Sequence, residues 1–128
     1  MGNMAVIIAT RNRPESLGKA LSSVLTQTRL PEIVLVVSDC DDNNYPLTEN
    51  IVREAGESVD IRLLKNQRTG NLSGAINTGL AYLISKNFTP EDCFVAILDD
   101  DDFWEVLFLE ERDWRYIVFP FEIKVLRL

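Results

Sequence analysis

The feature that most constrains this chain is a set of short, β-branched apolar segments that do not alternate, each followed by a stretch of helical periodicity. Ala5-Val6-Ile7-Ile8-Ala9, Ile33-Val34-Leu35-Val36-Val37 and Phe94-Val95-Ala96-Ile97-Leu98 are runs of this kind. Continuous apolar runs of strand length fit strands buried on both faces. A shorter strand is expected through Ile61, Leu63 and Leu64. Between the strands, Pro14 suits a first helical turn, with Leu17, Leu21, Val24 and Leu25 following at helical spacing. Pro46 opens a second helix with Leu47, Ile51 and Ala55 on one face and Gly56 as its stop. After Gly70 a third helix carries Leu72, Ile76, Leu80, Leu83 and Ile84 on one stripe to about Asn87, and Thr89-Pro90-Glu91 breaks it. Strand and helix alternate from residue 5 to residue 98. The pattern predicts a single α/β domain over 1–128, a doubly wound, mostly parallel sheet with helices on both faces.

Charge and missing residue types narrow the chemistry. Asp and Glu outnumber Lys and Arg by 20 to 13, a net charge of −7. That balance argues against nucleic acid or an anionic membrane as partner, because phosphate backbones need clustered cations. A small phosphorylated ligand stays open if a cation bridges it to the protein. With no histidine in the chain, Ser-His-Asp triads, His-ligated zinc and a His general base are excluded. Cys40 and Cys93 lack metal spacing, and both are expected as buried, reduced thiols. Neither a basic leader nor an apolar run near the ~20 residues of a membrane span is visible, so a cytoplasmic location is expected.

Ligands of doubly wound sheets bind beyond the carboxyl ends of the strands. Three segments fall there: Thr10-Arg11-Asn12-Arg13, Ser38 to Asn44, and Asp99-Asp100-Asp101-Asp102. Four adjacent aspartates repel one another unless something compensates them. A divalent cation with oxygen preference, Mg²⁺ or Mn²⁺, does so and bridges to a diphosphate. The competing reading is a solvated acidic turn capping a helix that starts near Phe103.

In order along the chain, these pieces resemble the family 2 inverting glycosyltransferases of GT-A fold. Val6-Ile7-Ile8-Ala9-Thr10-Arg11-Asn12-Arg13-Pro14 resembles that family's opening strand and loop. Leu21-Ser22-Ser23-Val24-Leu25-Thr26-Gln27-Thr28 is similar to its first helix, and Glu32 to Asp39 to its second strand with an acidic end. Gly70-Asn71-Leu72-Ser73-Gly74-Ala75-Ile76-Asn77-Thr78-Gly79 is similar to its glycine-rich helix start. Leu98-Asp99-Asp100-Asp101-Asp102-Phe103-Trp104 resembles its Asp-x-Asp metal motif. The resemblance covers residues 5–104, which are expected to form a Rossmann-like nucleotide-sugar-binding region.

The resemblance implies roles position by position. Thr10, Arg11, Asn12 and Arg13 would line the pocket for uracil or another base, and Asp39 would contact the base. Asp99 and Asp100 would meet the nucleotide, with Asp99 and Asp101 as metal ligands for Mn²⁺ or Mg²⁺. Arg68 would contact phosphate or be only an exposed loop residue, whereas Asn71 stands where some relatives carry Arg. Bland alternatives stand beside these: Thr10 ends a strand, Asp39 caps a turn, and Asn77 with Gly79 permits close helix packing.

Members of the family continue past the metal motif, where the resemblance places the acceptor site and the general base. Here Glu110, Glu111, Asp113 and Glu122 have no recognisable catalytic context, and no catalytic base is identified. The expected function is glycosyl transfer from a nucleotide-diphosphate sugar, most simply a UDP-sugar, if the chain is completed by a further half. The alternative is a truncated or vestigial nucleotide-binding module without transferase activity. A nucleotidyltransferase ranks below both, since Thr10-Arg11-Asn12-Arg13 has no glycine. Residues 114–128 form an apolar tail in which Phe121-Glu122-Ile123-Lys124-Val125 alternates like a strand. Such a tail either docks on its own sheet or pairs with another copy to give a homo-oligomer.

Overall fold

The computed structural model of the 128-residue chain describes residues 3–40, 42–68, 70–89 and 93–101, and the backbone of 125–127. Its elements run β1 (Asn3–Thr10), α1 (Pro14–Leu25), β2 (Ile33–Ser38), α2 (Tyr45–Glu54), β3 (Asp60–Lys65), α3 (Leu72–Ser85), β4 (Cys93–Asp99) and β5 (Val125–Arg127). The sheet order is β3-β2-β1-β4-β5. β1, β2, β3 and β4 are parallel, and β5 is antiparallel to β4 with Val95 opposite Leu126. The expected mostly parallel α/β sheet is the observed one. The expectations placed on Asp41, Pro90, Glu91 and the stretch from Asp102 to Lys124 lie outside the described residues.

The central strands β1 and β2 explain why the apolar runs do not alternate. Met4, Val6 and Ile8 of β1 join Val34 and Val36 of β2 in a core beneath α1, closed by Leu17, Leu21 and Val24. Ala5 and Ile7 face the other way, with Leu35 and Val37, against Ala75 and Leu83 of α3. Each face thus needs its own apolar set, so successive residues are all apolar.

In α3 the sequence stripe and the observed packing face differ. Gly74, Ala75, Gly79 and Leu83 are its buried residues, whereas Ile84 is 63% exposed and Leu72 is also exposed. Small residues let the helix come close to the sheet, with Leu83 buried and Leu80 packed against the same core. A Cβ on Gly79 would stand 2.7 Å from Ile7 Cδ1, inside any real contact distance. Gly79→Ala therefore overpacks a wholly buried isoleucine, at a cost of about 1–3 kcal/mol. Alanine's helix preference over glycine returns about 0.8–1.0 kcal/mol, so a net loss of about 1 kcal/mol is expected in urea unfolding. An unchanged midpoint would show that Ile7 relaxes freely.

The helix stops follow ordinary chemistry. Gly56, at φ 95°, ends α2 as expected, and Asn87, at φ 68°, takes the left-handed position after α3. On α2, Ile51 and Ala55 are half-buried, while Leu47 of the expected face is exposed. Cys93 is buried as expected, but Cys40 is exposed. It lies two residues past the end of β2, in the following turn, where the apolar run has already ended. The backbone of β5, at the end of the expected tail, lies along β4 of the same chain, with residues 114–124 outside the described residues.

Candidate functional site

From β1 the chain winds outward to β2 and β3, then returns through α3 to β4 on the other side of β1. A reversal of this kind opens a crevice beyond the carboxyl ends of the two central strands. The residues ending β1 and β4 meet there. Ala9 is opposite Asp99 in the ladder, so Thr10 and Asp100 emerge side by side.

Asp100 is the anchor of the crevice. It is 7% exposed, a depth at which a carboxylate needs partners. The Thr10 hydroxyl donates to its Oδ2 at 3.0 Å, and the Arg11 N–H approaches the same oxygen at 3.4 Å. Arg13 Nη1 lies 3.2 Å from Asp100 Oδ1 and 3.2 Å from Asp101 Oδ2. One guanidinium thus bridges two neighbouring aspartates and ties the loop after β1 to the turn after β4.

A second set of contacts fastens the loop after β1 to the turn after β2. The buried Ser38 hydroxyl donates to Asp42 Oδ2 at 2.7 Å, and Asp42 Oδ1 accepts the Asn12 N–H at 3.2 Å and the Asn44 N–H at 2.8 Å. Asn12 Oδ1 in turn accepts the Asn43 N–H at 2.7 Å. Asn12 occupies φ 55°, a left-handed conformation that asparagine tolerates better than most residues. Its side chain is committed to joining the two turns.

Asp39 stands just beyond β2. Its N–H donates to the Thr10 carbonyl at 3.0 Å. Its Oδ1 accepts the Cys40 N–H at 2.8 Å and the Asn66 amide at 3.3 Å. Across the crevice Asn71 caps α3, its side chain accepting the Gly74 N–H at 2.8 Å.

Together these groups line a cleft of about 420 Å³ formed by Ala9, Thr10, Arg11, Arg13, Asp39, Asn71, Leu72, Ala75, Asp99, Asp100 and Asp101. The expected acidic residues from two strand ends therefore share one cavity with the loop after β1. Asn12 and Arg68 do not line it. Asn12 is turned to the neighbouring turn, and Arg68 is exposed beyond β3. Sequence reasoning missed Asn66, although a polar residue just past a strand's carboxyl end is itself a signal, and it included Asp42 only within the segment Ser38 to Asn44 without giving it a role. It singled out the start of α3 through Asn71 but did not assign Leu72 and Ala75 to the cleft, Leu72 having read as part of the helix's apolar stripe.

Carboxylates are the only anionic donors here, and hard divalent cations prefer such oxygens. Arg13 seated between Asp100 and Asp101 shows that the acidic turn accommodates positive charge. Among the described residues no three His, Cys, Asp or Glu side chains converge as a self-sufficient metal site. A cation held by one or two carboxylates plus ligand phosphates and water fits this arrangement, as is usual for Mg²⁺.

Comparison with known proteins agrees with the geometry. The family model "Glycosyl transferase family 2" matches residues 5–112. The succinoglycan biosynthesis protein ExoW of Rhizobium meliloti is 34% identical over 105 residues, 81% of this chain and 31% of its own length. The Escherichia coli UDP-Glc:alpha-D-GlcNAc-diphosphoundecaprenol beta-1,3-glucosyltransferase WfgD is 34% identical over 101 residues, 79% of this chain and 36% of its own. In fold, the chain is similar to the mannosyltransferase PcManGT of Pyrobaculum calidifontis, solved with GDP-Man and Mn²⁺. The TM-score is 0.61 at 23% identity, over 80% of this chain and 28% of that one. The chain thus spans about a third of the length of the curated relatives it matches.

Proposed function

The chain belongs to glycosyl transferase family 2, and from that premise we propose that residues 5–104 bind the nucleotide diphosphate of a donor sugar in the cleft. The carrying observation is the meeting of Asp39, Asp99, Asp100, Asp101 and the loop after β1 around one cavity of about 420 Å³. The nucleoside lies against Asp39 and the Thr10–Arg13 loop, and the diphosphate faces the acidic turn. Asn71 and Leu72 at the amino end of α3 line the same cavity, and the unpaired N–H groups and positive dipole end of a helix favour an anion.

Asp99 and Asp101 would hold the divalent cation, Mn²⁺ or Mg²⁺, which when bound supplies positive charge to the departing diphosphate. Arg13 adds a fixed positive charge beside it. Asp100 contributes indirectly by keeping Thr10 and Arg13 in place. In the transfer, the bond from the anomeric carbon to the diphosphate oxygen breaks and a bond to an acceptor oxygen forms. The acceptor's proton goes to a base, a role we assign to no residue described here. The donor most in keeping with the relatives is a UDP-sugar, since one relative is named for UDP-Glc.

Titration calorimetry with UDP and GDP, in Mn²⁺ and in excess EDTA, tests this reading. UDP is expected to bind at least about tenfold more weakly in EDTA, a difference of ~1.4 kcal/mol. Equal affinity in both buffers would remove the metal from the account.

A further inference from the structure

Beyond the cleft lining, the described residues contain one polar side chain that ties three elements together beneath Asp39. Asn66 follows β3 and is 1% exposed. Its N–H donates to the Ser38 carbonyl at 2.8 Å, which extends the β2–β3 pairing by one residue. Its Oδ1 accepts the Arg68 N–H at 2.9 Å and faces the Thr78 hydroxyl of α3 at 3.2 Å. That hydroxyl also lies 2.8 Å from the Gly74 carbonyl, so one proton serves two acceptors. With a backbone donor on Oδ1, the amide has a single consistent orientation, in which Nδ2 donates to Asp39 Oδ1 at 3.3 Å.

We propose that Asn66 is a positioning residue for nucleoside recognition, fixing the Asp39 carboxylate so that one oxygen is kept for the ligand. The inference rests on the donor-site reading above and deepens it. Asp39 Oδ1 is taken by two donors, the Cys40 N–H and the Asn66 amide. Among the described residues, Oδ2 accepts no comparable bond. Holding one carboxylate oxygen from below removes a rotational freedom that ligand binding would otherwise have to freeze. Because Asn66 is reached by α3 and the loop after β3, it also couples the nucleoside side of the cleft to the wall formed by α3.

The test compares two probes, UDP and inorganic pyrophosphate, each with Mn²⁺, on wild type, Asn66→Ala and Asn66→Asp. Asn66→Asp retains an acceptor for Arg68 and Thr78 but sets an oxygen against Asp39 instead of a donor. Both variants are expected to bind UDP about tenfold more weakly, with pyrophosphate binding changed by less than about twofold. Pyrophosphate has no nucleoside, so a loss confined to UDP belongs to Asp39, whereas a general loosening of the cleft would weaken both probes. Unchanged UDP binding, or equal loss of both probes, overturns the proposal. If circular dichroism shows either variant unfolded, Thr78→Val removes one donor to Asn66 and should give the same selective loss at about two- to threefold. No selective loss there also overturns it. A wild-type chain that binds neither probe sinks the donor-site reading itself, a result distinct from failure of the Asn66 role.

Discussion

Asp101→Ala is expected to remove the metal-dependent part of nucleotide binding while leaving the fold intact. The Asp101 side chain is 60% exposed and its described partner is the half-exposed Arg13. An exposed ion pair of this kind contributes about 0–1 kcal/mol, so thermal stability should move little. Binding should respond far more. Without that carboxylate the cation loses a ligand, and a diphosphate then meets an acidic turn without the bridging charge of the cation. The wild-type gain in UDP affinity on adding Mn²⁺, set at about tenfold or more, should fall to near unity. Calorimetry with and without Mn²⁺ reads this directly. A variant that still gains tenfold would place the cation elsewhere.

One residue earlier, the opposite outcome is expected. Asp100→Ala should unfold more easily because its carboxylate is buried and serves Thr10, Arg11 and Arg13 at once. Losing an ionised acceptor costs about 1.5–3 kcal/mol per charged hydrogen bond, with the Thr10 hydroxyl left unpaired in the interior. For a domain of this size the melting temperature should fall by roughly 5–15 °C, taking several degrees per kcal/mol. Nucleotide affinity should fall too, since the Thr10–Arg13 loop loses its tie to β4. Asp100→Asn should recover part of the stability, because its oxygen still accepts from Thr10 while its amide opposes Arg13. Equal melting of wild type and Asp100→Ala would show that the contact stabilises nothing. These two outcomes together would separate Asp100, as a support of the cleft, from Asp101, as the residue on the ligand side.

The difference between these two positions was not legible in the run Asp99-Asp100-Asp101-Asp102. Identical side chains carry no mark of which one turns inward. Strand β4 fixes it: Asp99 ends the ladder opposite Ala9, and the following turn brings Asp100 beneath Thr10. Asn12 is a similar case. Its sequence position beside Thr10 and Arg13 suggests the base pocket, but its left-handed backbone commits its side chain to Asn43 and Asn44. Arg68 lies outside the cleft for a simpler reason, since the loop after β3 passes beneath Asp39 through Asn66.

The amino-acid sequence alone determined the architecture, because burial on both faces of a parallel sheet forces continuous apolar strands and those are visible residue by residue. It also placed Asp39 and the acidic run at strand ends, where backbone direction alone puts ligands. Only tertiary structure decided which helix face packs and which carboxylates are engaged. Ala75 and Gly79 let α3 approach Ile7 closely, so that small residues share the packing face with Leu83 of the expected stripe while Leu72 and Ile84 are left exposed. Periodicity counts hydrophobic side chains but not how near two backbones can come, and that nearness sets the helix's rotation. Likewise, the bonds from Asn66 to Asp39 and from Thr10 to Asp100 join residues 27 and 90 positions apart. Such pairings exist only once the sheet has formed, because the ladder registers bring their backbones together.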